Sequence, residues 1–381
     1  MQIILLLLIS SLFFSGCAPT TAVKKHDPVF FPAAPTPPRI QFLTGIGDSK
    51  DVEGDGAEIS LFSMTAVQQD ALRAFSKPYG ITAYGTKLYV SDTLAGTVAV
   101  IDLRQKSFIW LKGNFGPGKL IKPINLTTDK AGHLYVADTG RKEVLAYDAE
   151  GNFLRAYSSA YELKPVDVAV DDRRVYALDM SQRKVLVFNK ATGKLIEGLG
   201  QESENPQERL YLATNMTLTE QGLFYVANAG TGSIIKLDRD GHVLGSFGKM
   251  GDGLGQFGRP RGVATDSKKR FYVVDASHQN VQIFNDKDQL LMFFGDPGLP
   301  LGSLNIPAGI AVTDQDLDYY QQFAAPGFAL EQVILVVNQI GRYKINIYGL
   351  GKMQGIDYEA YYRESMENRR KTEAEQTNKK K

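Results

Sequence analysis

The chain has 381 residues, 43% of them hydrophobic, and a formal net charge of +1. This length allows a large core, and the near-neutral charge gives no electrostatic case for a nucleic-acid partner. The single cysteine, Cys17, suits an exported protein, in which a free thiol would be a liability.

The N-terminus reads "MQIILLLLISSLFFSGC". Residues 3–14 form a hydrophobic run of signal-peptide length, too short for an ordinary membrane span. Two small residues then precede Cys17, which resembles a bacterial lipobox. The resemblance implies a signal peptide over 1–16, acylation of Cys17, for example by palmitate, and a membrane as partner. Phe14 stands where leucine is usual and no Lys or Arg precedes it, so an ordinary secretory signal or N-terminal anchor remains the alternative. Ala18, in place of Asp, favours the outer membrane of a bacterial cell envelope.

Two segments flank the predicted domain. Residues 17–39 contain six prolines, which favour extended backbone and predict a stiff tether after the cysteine. Residues 352–381 are rich in charged and amide side chains, and we expect a solvated helix or a disordered tail there.

Between these segments one element recurs six times. It reads "LYVSD" (88–92), "LYVAD" (134–138), "VYALD" (175–179), "FYVAN" (224–228), "FYVVD" (271–275) and "LVVN" (335–338). A proline precedes most copies by eleven or twelve residues, and apolar alternation divides each unit into four strands, a to d. The last unit lacks its strand d, which "FLTGIG" (42–47) can supply. We therefore predict an all-β fold, a six-bladed β-propeller over 40–351 closed by an N-terminal strand.

Residues 247–285, "FGKMGDGLGQFGRPRGVATDSKKRFYVVDASHQNVQIFN", closely resemble the NHL repeat. The resemblance covers all six units and is weakest in the fourth. It implies the propeller fold and often ligand or protein binding, but it fixes no function.

The same stretch matches the pattern G-x-G-x-x-G at 253–258, which is the motif of a dinucleotide-binding loop. That reading requires a helix directly after the loop. Pro260 and two short strand patterns follow instead. We therefore interpret these glycines as a turn between strand d of one blade and strand a of the next.

No pattern for catalysis or cofactor binding is found. Of the four histidines, His26 lies in the predicted tether, and His133, His242 and His278 fall on different parts of the predicted propeller. This spread argues against a three-histidine zinc site. The spacing in "DQDLD" (314–318) begins like a calcium loop but lacks its later ligands. The Asp or Asn that closes each strand b recurs six-fold, which indicates turn capping. We therefore expect no catalytic residue, no metal ligand and no cofactor.

Candidate binding residues come from three places. The residue after each repeat proline should lie at the mouth of the central channel; in order these are Tyr79, Ile124, Val166, Thr214, Arg261 and Ala308. The loops between strands b and c should add cations to the same face: Arg141, Lys142, Arg183, His278 and Arg342. A long insertion in the sixth unit should expose aromatic side chains: Tyr319, Tyr320, Phe323 and Phe328. The alternative is that these are ordinary solvated loop residues.

Two functions remain open. The first is a lipid-anchored envelope scaffold that is not an enzyme and binds a protein, peptide or glycan through one propeller face and the insertion. The second is an envelope hydrolase or lyase with a divalent metal in the channel.

Overall fold

Each repeat proline begins an inner strand, where its missing N–H costs no ladder hydrogen bond. The computed structural model describes residues 27–54, 72–200, 205, 208–295, 297–298 and 301–379, with side chains through 368. These residues form six antiparallel sheets around a channel, which confirms the six-bladed propeller. Cys17 and His26 lie outside the described residues.

Five blades have four strands each, lettered a to d from the channel outward. Blades 1 and 2 contain β3 (Pro78–Tyr84), β4 (Lys87–Asp92), β5 (Thr97–Asp102), β6 (Ser107–Trp110), β7 (Pro123–Thr128), β8 (Leu134–Asp138), β9 (Glu143–Tyr147) and β10 (Phe153–Tyr157). Blades 3 to 5 contain β11 (Pro165–Val170), β12 (Arg174–Asp179), β13 (Lys184–Asn189), β14 (Leu195–Leu199), β15 (Ala213–Leu218), β16 (Phe224–Asn228), β17 (Ser233–Leu237), β18 (Val243–Phe247), β19 (Pro260–Thr265), β20 (Phe271–Asp275), β21 (Asn280–Phe284) and β22 (Leu290–Phe294).

Blade 6 joins the two ends of the domain. Its order is β23 (Pro307–Thr313), β24 (Phe328–Asn338), β25 (Ile345–Met353), β2 (Ile40–Ile46) and β1 (Val29–Phe31). β2 pairs antiparallel with β25, which confirms closure by an N-terminal strand. β1 lies inside the segment predicted as tether and adds a fifth strand on the outside of β2.

Three helices and one 3₁₀ turn complete the described chain: α1 (Lys50–Glu53), the turn Gly116–Gly118, α2 (Leu317–Gln321) and α3 (Tyr358–Lys379). α3 gives the C-terminal segment a helical form, and the Tyr358 hydroxyl anchors its start by donating to the Pro38 carbonyl at 2.6 Å. Within the described part of the chain, we find no helix with the length and apolar content needed to cross a membrane.

The core lies between neighbouring blades. Each strand b is buried along its length because blades cover both of its faces, whereas the outer strands alternate between buried and exposed side chains. Apolar clusters fill the gaps between blades. The connection after β18 shows why glycine recurs there: Gly248 has φ +77° and lies against the buried Phe257 ring, where a Cβ would clash. The glycine-rich stretch is thus a turn, as predicted.

The two faces of the propeller follow from the strand order. Because a, b, c and d run antiparallel, the b–c turns and the d–a connections share one face, which we call the proline face. The a–b and c–d turns form the opposite face. The insertion of residues 314–327 joins β23 to β24, an a–b connection, and therefore lies on the opposite face.

Candidate functional site

The acid that closes each strand b is a structural cap, as predicted. Asp138 accepts backbone N–H bonds from Gly140 and Arg141 in the turn after it, and from Ile121 and Lys122 before the inner strand. Asp92 and Asp275 make the same pattern. These carboxylates tie the b–c turn to the preceding d–a connection and are not available to a ligand.

The channel begins on the proline face with the residues that follow the prolines. The Arg261 guanidinium lies 5.9 Å from the centre of the Tyr79 ring and donates to the Gln339 side-chain oxygen at 3.1 Å. Ala308 of blade 6 lies between Arg261 of blade 5 and Tyr79 of blade 1. Its small side chain leaves space for the guanidinium to reach the tyrosine ring. Burial raises the pKa of Tyr79 against the opposing effect of the Arg261 charge. Arg261 is buried and Tyr79 half-buried, so this end of the channel presents little free charge.

The pairing register of every inner strand shifts between its first residue and its third or fourth, so the third residue lies in or beside a bulge. Bulges re-aim side chains, and here they mark one level of the channel wall. Glycine occupies this level in blades 1, 5 and 6, and a Cβ on Gly309 would meet the Tyr79 carbonyl of the neighbouring strand. Blades 2, 3 and 4 carry Asn125, Asp167 and Asn215 instead. The channel volume beside this level is about 220 Å³.

The polar half of this level is a hydrogen-bonded network between blades. The Asp167 carboxyl accepts from the Val168 N–H at 2.8 Å, the Asn215 amide at 2.7 Å and the Met216 N–H at 2.6 Å. The Asn215 oxygen accepts from the Val263 N–H at 2.6 Å, and Asn125 donates to the Val166 carbonyl at 2.9 Å. Side chains thus hold blades 2 to 5 together around the channel.

Asp167 is the one ionisable side chain among the described residues that line this 220 Å³ part of the channel. It is 2% exposed. Burial raises its pKa to about 8, and the N–H bonds from Met216 and Val168 oppose that shift. Sequence reasoning missed this network because it followed the residue after each proline. The available signal was the next residue, which is glycine in blades 1, 5 and 6 and Asn125, Asp167 and Asn215 in blades 2 to 4.

The cations predicted on the proline face are largely paired. Arg141 binds Glu143 at 2.6 Å, and Lys142 binds Glu162. His278 lies 3.1 Å from Asp252 and 2.9 Å from Asp275, and Arg342 binds Asp51 at 2.9 Å. Arg183 lies over the Tyr211 ring at 5.3 Å. These residues share a face, as expected, but their charges are balanced locally.

The two other histidines that the structure describes lie on the opposite face, each beside an aspartate. His133 lies 3.2 Å from Asp129, and His242 lies 3.0 Å from Asp238. Asp238, Asp240 and His242 bring three potential ligand atoms within 4.8 Å of one another in the c–d turn of blade 4. This group is largely exposed, and acidic turns of this kind are common without an ion.

The expectation that the insertion exposes its aromatic side chains is wrong for two of them. Tyr320 and Phe328 are fully buried, Tyr320 between blades 6 and 1 and Phe328 against Phe30 of β1 at 5.4 Å. The Tyr319 hydroxyl donates to the Leu103 carbonyl at 2.9 Å, and Phe323 is just exposed. The insertion packs on blades 6 and 1 because Tyr319 bonds to blade 1 and Tyr320 lies in the apolar cluster between the two blades. It also lies on the face opposite to the predicted cations, so the two cannot form one surface.

Exposed apolar side chains mark the proline face instead. They come from the connections of all six blades: Leu94, Phe115, Ile121, Tyr161, Tyr211, Leu212, Met250, Leu254, Ile306 and Ile340. On the opposite face, the described large apolar residues that are exposed in the strand ends, connections and insertion are Tyr84, Phe323 and Ile356, and α3 adds Tyr362 and Met366. Single exposed apolar residues are normal, whereas such an imbalance between faces is typical of an interaction surface.

Comparison with known proteins agrees with this architecture. Residues 257–284 match the model of the NHL repeat. A Bacteroides thetaiotaomicron protein of unknown function is 16% identical with a TM-score of 0.57, over 82% of this chain and 75% of that one. A Xanthomonas campestris gluconolactonase is 14% identical with a TM-score of 0.54, over 85% and 98%.

A third similar structure is an inactive Staphylococcus aureus virginiamycin B lyase with quinupristin, 13% identical with a TM-score of 0.50, over 72% of this chain and 95% of that one. Identities this low show a shared fold and nothing about activity. The protein is therefore a six-bladed β-propeller, and residues 257–284 of it match the NHL repeat.

Proposed function

We propose that this protein is a lipid-anchored propeller of the bacterial cell envelope that binds a protein or peptide partner through its proline face and is not itself an enzyme. The observation that carries the proposal is the concentration of exposed apolar side chains on that face. Apolar and aromatic anchors surrounded by satisfied charges are the usual composition of a protein interface. The paired cations Arg141, His278 and Arg342 form such a polar surrounding.

The test is capture of the partner from solubilised envelope membranes. Leu94 and Ile121 are neighbours, since the backbone of Ile121 contacts the turn that follows Leu94. We expect the double variant Leu94→Ser and Ile121→Ser to lower capture about tenfold or more, because interface anchors contribute on the order of 1–2 kcal/mol each.

The matched control is Ile109→Ser on the outer strand β6. Ile109 is 52% exposed and Ile121 58% exposed, so this control matches the Ile121→Ser half of the double variant. The control variant should capture as wild type does. Equal capture by all three proteins would refute binding through this face. Stoichiometric bound metal with metal-dependent turnover of a substrate would refute the non-enzymatic assignment.

A further inference from the structure

A tyrosine–aspartate pair recurs on the opposite face of the propeller. The tyrosine is the second residue of strand b or close to it, and the aspartate lies in the preceding a–b turn. The hydroxyl donates to the carboxylate in blades 2, 3 and 5, for Tyr135–Asp129 at 3.2 Å, Tyr176–Asp171 at 2.8 Å and Tyr272–Asp266 at 2.7 Å. Each pair thus bonds the a–b turn to the strand b that follows it in the same blade.

The next blade adds a cation to two of these pairs. Lys190 and Arg239 occupy the same position of the c–d turn, one residue after Asn189 and Asp238. The Lys190 ammonium lies 2.9 Å from Asp129 and 5.5 Å from the centre of the Tyr135 ring. Arg239 lies 4.0 Å from Asp171. The repeat thus places one positive group between neighbouring blades.

Blade 4 and blade 5 reverse this pattern. Thr219 replaces the turn aspartate, six residues before Tyr225, and Asp286 replaces the cation of the next blade. Tyr225 is 5% exposed. Its hydroxyl makes no hydrogen bond with the described residues, and the exposed Asp286 carboxylate likewise makes no ion pair with them.

The reversal coincides with a cavity of about 380 Å³ between blades 4, 5 and 6. Leu218, Leu223 and Val312 supply an apolar wall, and Tyr225 and Asp286 both line the space. Among the described charged residues of the lining, Asp266 is neutralised by Arg270 at 2.6 Å. Three carboxylates, those of Glu220, Asp286 and Asp314, then face one ammonium, that of Lys269.

The chemistry of this cavity favours a cation with an aliphatic stem. Burial, with smaller contributions from the Asp288 and Asp286 charges, raises the pKa of Tyr225 to about 12, so its hydroxyl stays neutral and can accept a hydrogen bond. Lys236 lies over the Tyr225 ring at 5.7 Å but does not line the cavity, and Asp288 neutralises it at 2.5 Å. The surplus of carboxylates therefore remains available to a ligand.

We infer that this cavity binds an alkyl primary amine, whose ammonium takes the place that the Lys190 ammonium holds between blades 2 and 3. The ammonium would donate to the Asp286 carboxylate and the Tyr225 hydroxyl oxygen. The carbon chain would lie against Leu218, Leu223 and Val312. This site lies on the opposite face and is independent of the proposed partner surface.

The experiment is calorimetric titration of the full-length protein in detergent at pH 7 and low ionic strength. The probes are 1,5-diaminopentane, the lysine side chain in N-acetyl-lysine amide, and uncharged 1,5-pentanediol. We expect at least one amine to bind tenfold or more tightly than the diol, because only an ammonium complements the carboxylates. The better of the two amines identifies the source as a free amine or a peptide side chain. Equal binding of amines and diol would overturn the inference.

Three variants sharpen the test. Asp286→Asn should weaken amine binding at least tenfold, and Asp286→Lys should abolish it, because the new side chain restores the repeat pattern and fills the place itself. Tyr225→Phe should weaken binding severalfold without changing the melting temperature, since its hydroxyl is unbonded in the free protein.

Glu150→Gln is the matched control. It removes one exposed carboxylate from the c–d turn of blade 2, on the same face. It should bind amines as wild type does. Unchanged binding by Asp286→Asn, or an equal loss in Glu150→Gln, would overturn the site and leave only general attraction to an acidic face.

Discussion

At the residue scale, three neighbouring inner strands place an amide, a carboxyl and an amide at one level of the channel. Asp167 receives three N–H donors, two of them from blade 4. These hydrogen bonds, which connect blades 3 and 4, explain why a carboxyl group lies in the channel wall. Burial nevertheless disfavours the charged form of Asp167, so the stability that these hydrogen bonds provide depends on pH.

We predict that Asp167 makes the stability of the propeller fall between about pH 4 and pH 8. Its pKa is about 8 in the folded protein and about 4 in an unfolded chain, so folding favours the protonated form. This contribution is fully present below the unfolded pKa and is lost as the pH rises through the folded one. Asp167→Asn cannot ionise. The advantage of wild type over this variant in free energy of unfolding should therefore shrink by several kcal/mol from pH 5 to pH 8.5, at about 1.4 kcal/mol per pKa unit.

Urea unfolding of both proteins at the two pH values measures this difference. An advantage that is the same at both pH values would show that the carboxyl stays ionised, with the N–H bonds outweighing burial.

At the element scale, blade 6 is the only place where the two ends of the domain meet among the described strands. β2 buries Ile40 and Ile46 in the clusters on both sides of this blade. β1 adds less, because it covers an outer edge that the other blades leave open. Phe31 of β1 nevertheless reaches the Phe294 and Tyr348 rings at 6.0 and 6.3 Å.

We predict a graded response to truncation. A protein that begins at residue 38 lacks β1 and should keep a cooperative thermal transition at a lower temperature, since the buried Phe31 contributes a few kcal/mol. A protein that begins at residue 48 also lacks β2, which exposes β25 and opens the ring, and it should lose the cooperative transition. Calorimetry of both truncations measures the effect. A cooperative melt for the second protein that matches the first would contradict closure through β2.

At the scale of the whole molecule, the fold separates two kinds of surface. The proline face gathers exposed apolar side chains from every blade, and the opposite face carries the insertion and the acidic cavity. Because β1 begins at Val29, about 12 residues join Cys17 to blade 6, and an extended chain of that length reaches roughly 40 Å. On the proposed lipid anchor, the tether therefore joins the propeller at blade 6.

We predict that Cys17→Ser releases the protein from membranes. Two or more acyl chains anchor a protein stably, at about 0.8 kcal/mol per buried methylene, and the variant cannot carry them. The measurement is fractionation of cell envelopes after a high-salt wash. Recovery of the variant with the membranes, at the level of wild type, would refute the lipoprotein interpretation.

The sequence alone determined the repeat, the number of blades, the closing strand and the capping role of the repeated acid. The repeat, the blade number and the cap depend on short-range rules: alternation of apolar side chains, prolines that begin strands, and carboxylates that cap the turn next to them. The closing strand followed from counting, because the last unit lacks its own strand d. Asp138 and Asp275 could be interpreted correctly because their partners lie within 20 residues along the chain.

Only the tertiary structure decided which side chains meet between blades. The bulges turn Asp167 and its amide neighbours into the channel wall, and the strand order puts the insertion on the face away from Arg141 and Arg342. Tyr225 and Asp286, which line one cavity, are about 60 positions apart in the chain. Such contacts depend on how separate blades pack. Packing between distant segments produces no periodic pattern in a single sequence, so these contacts cannot be predicted from it.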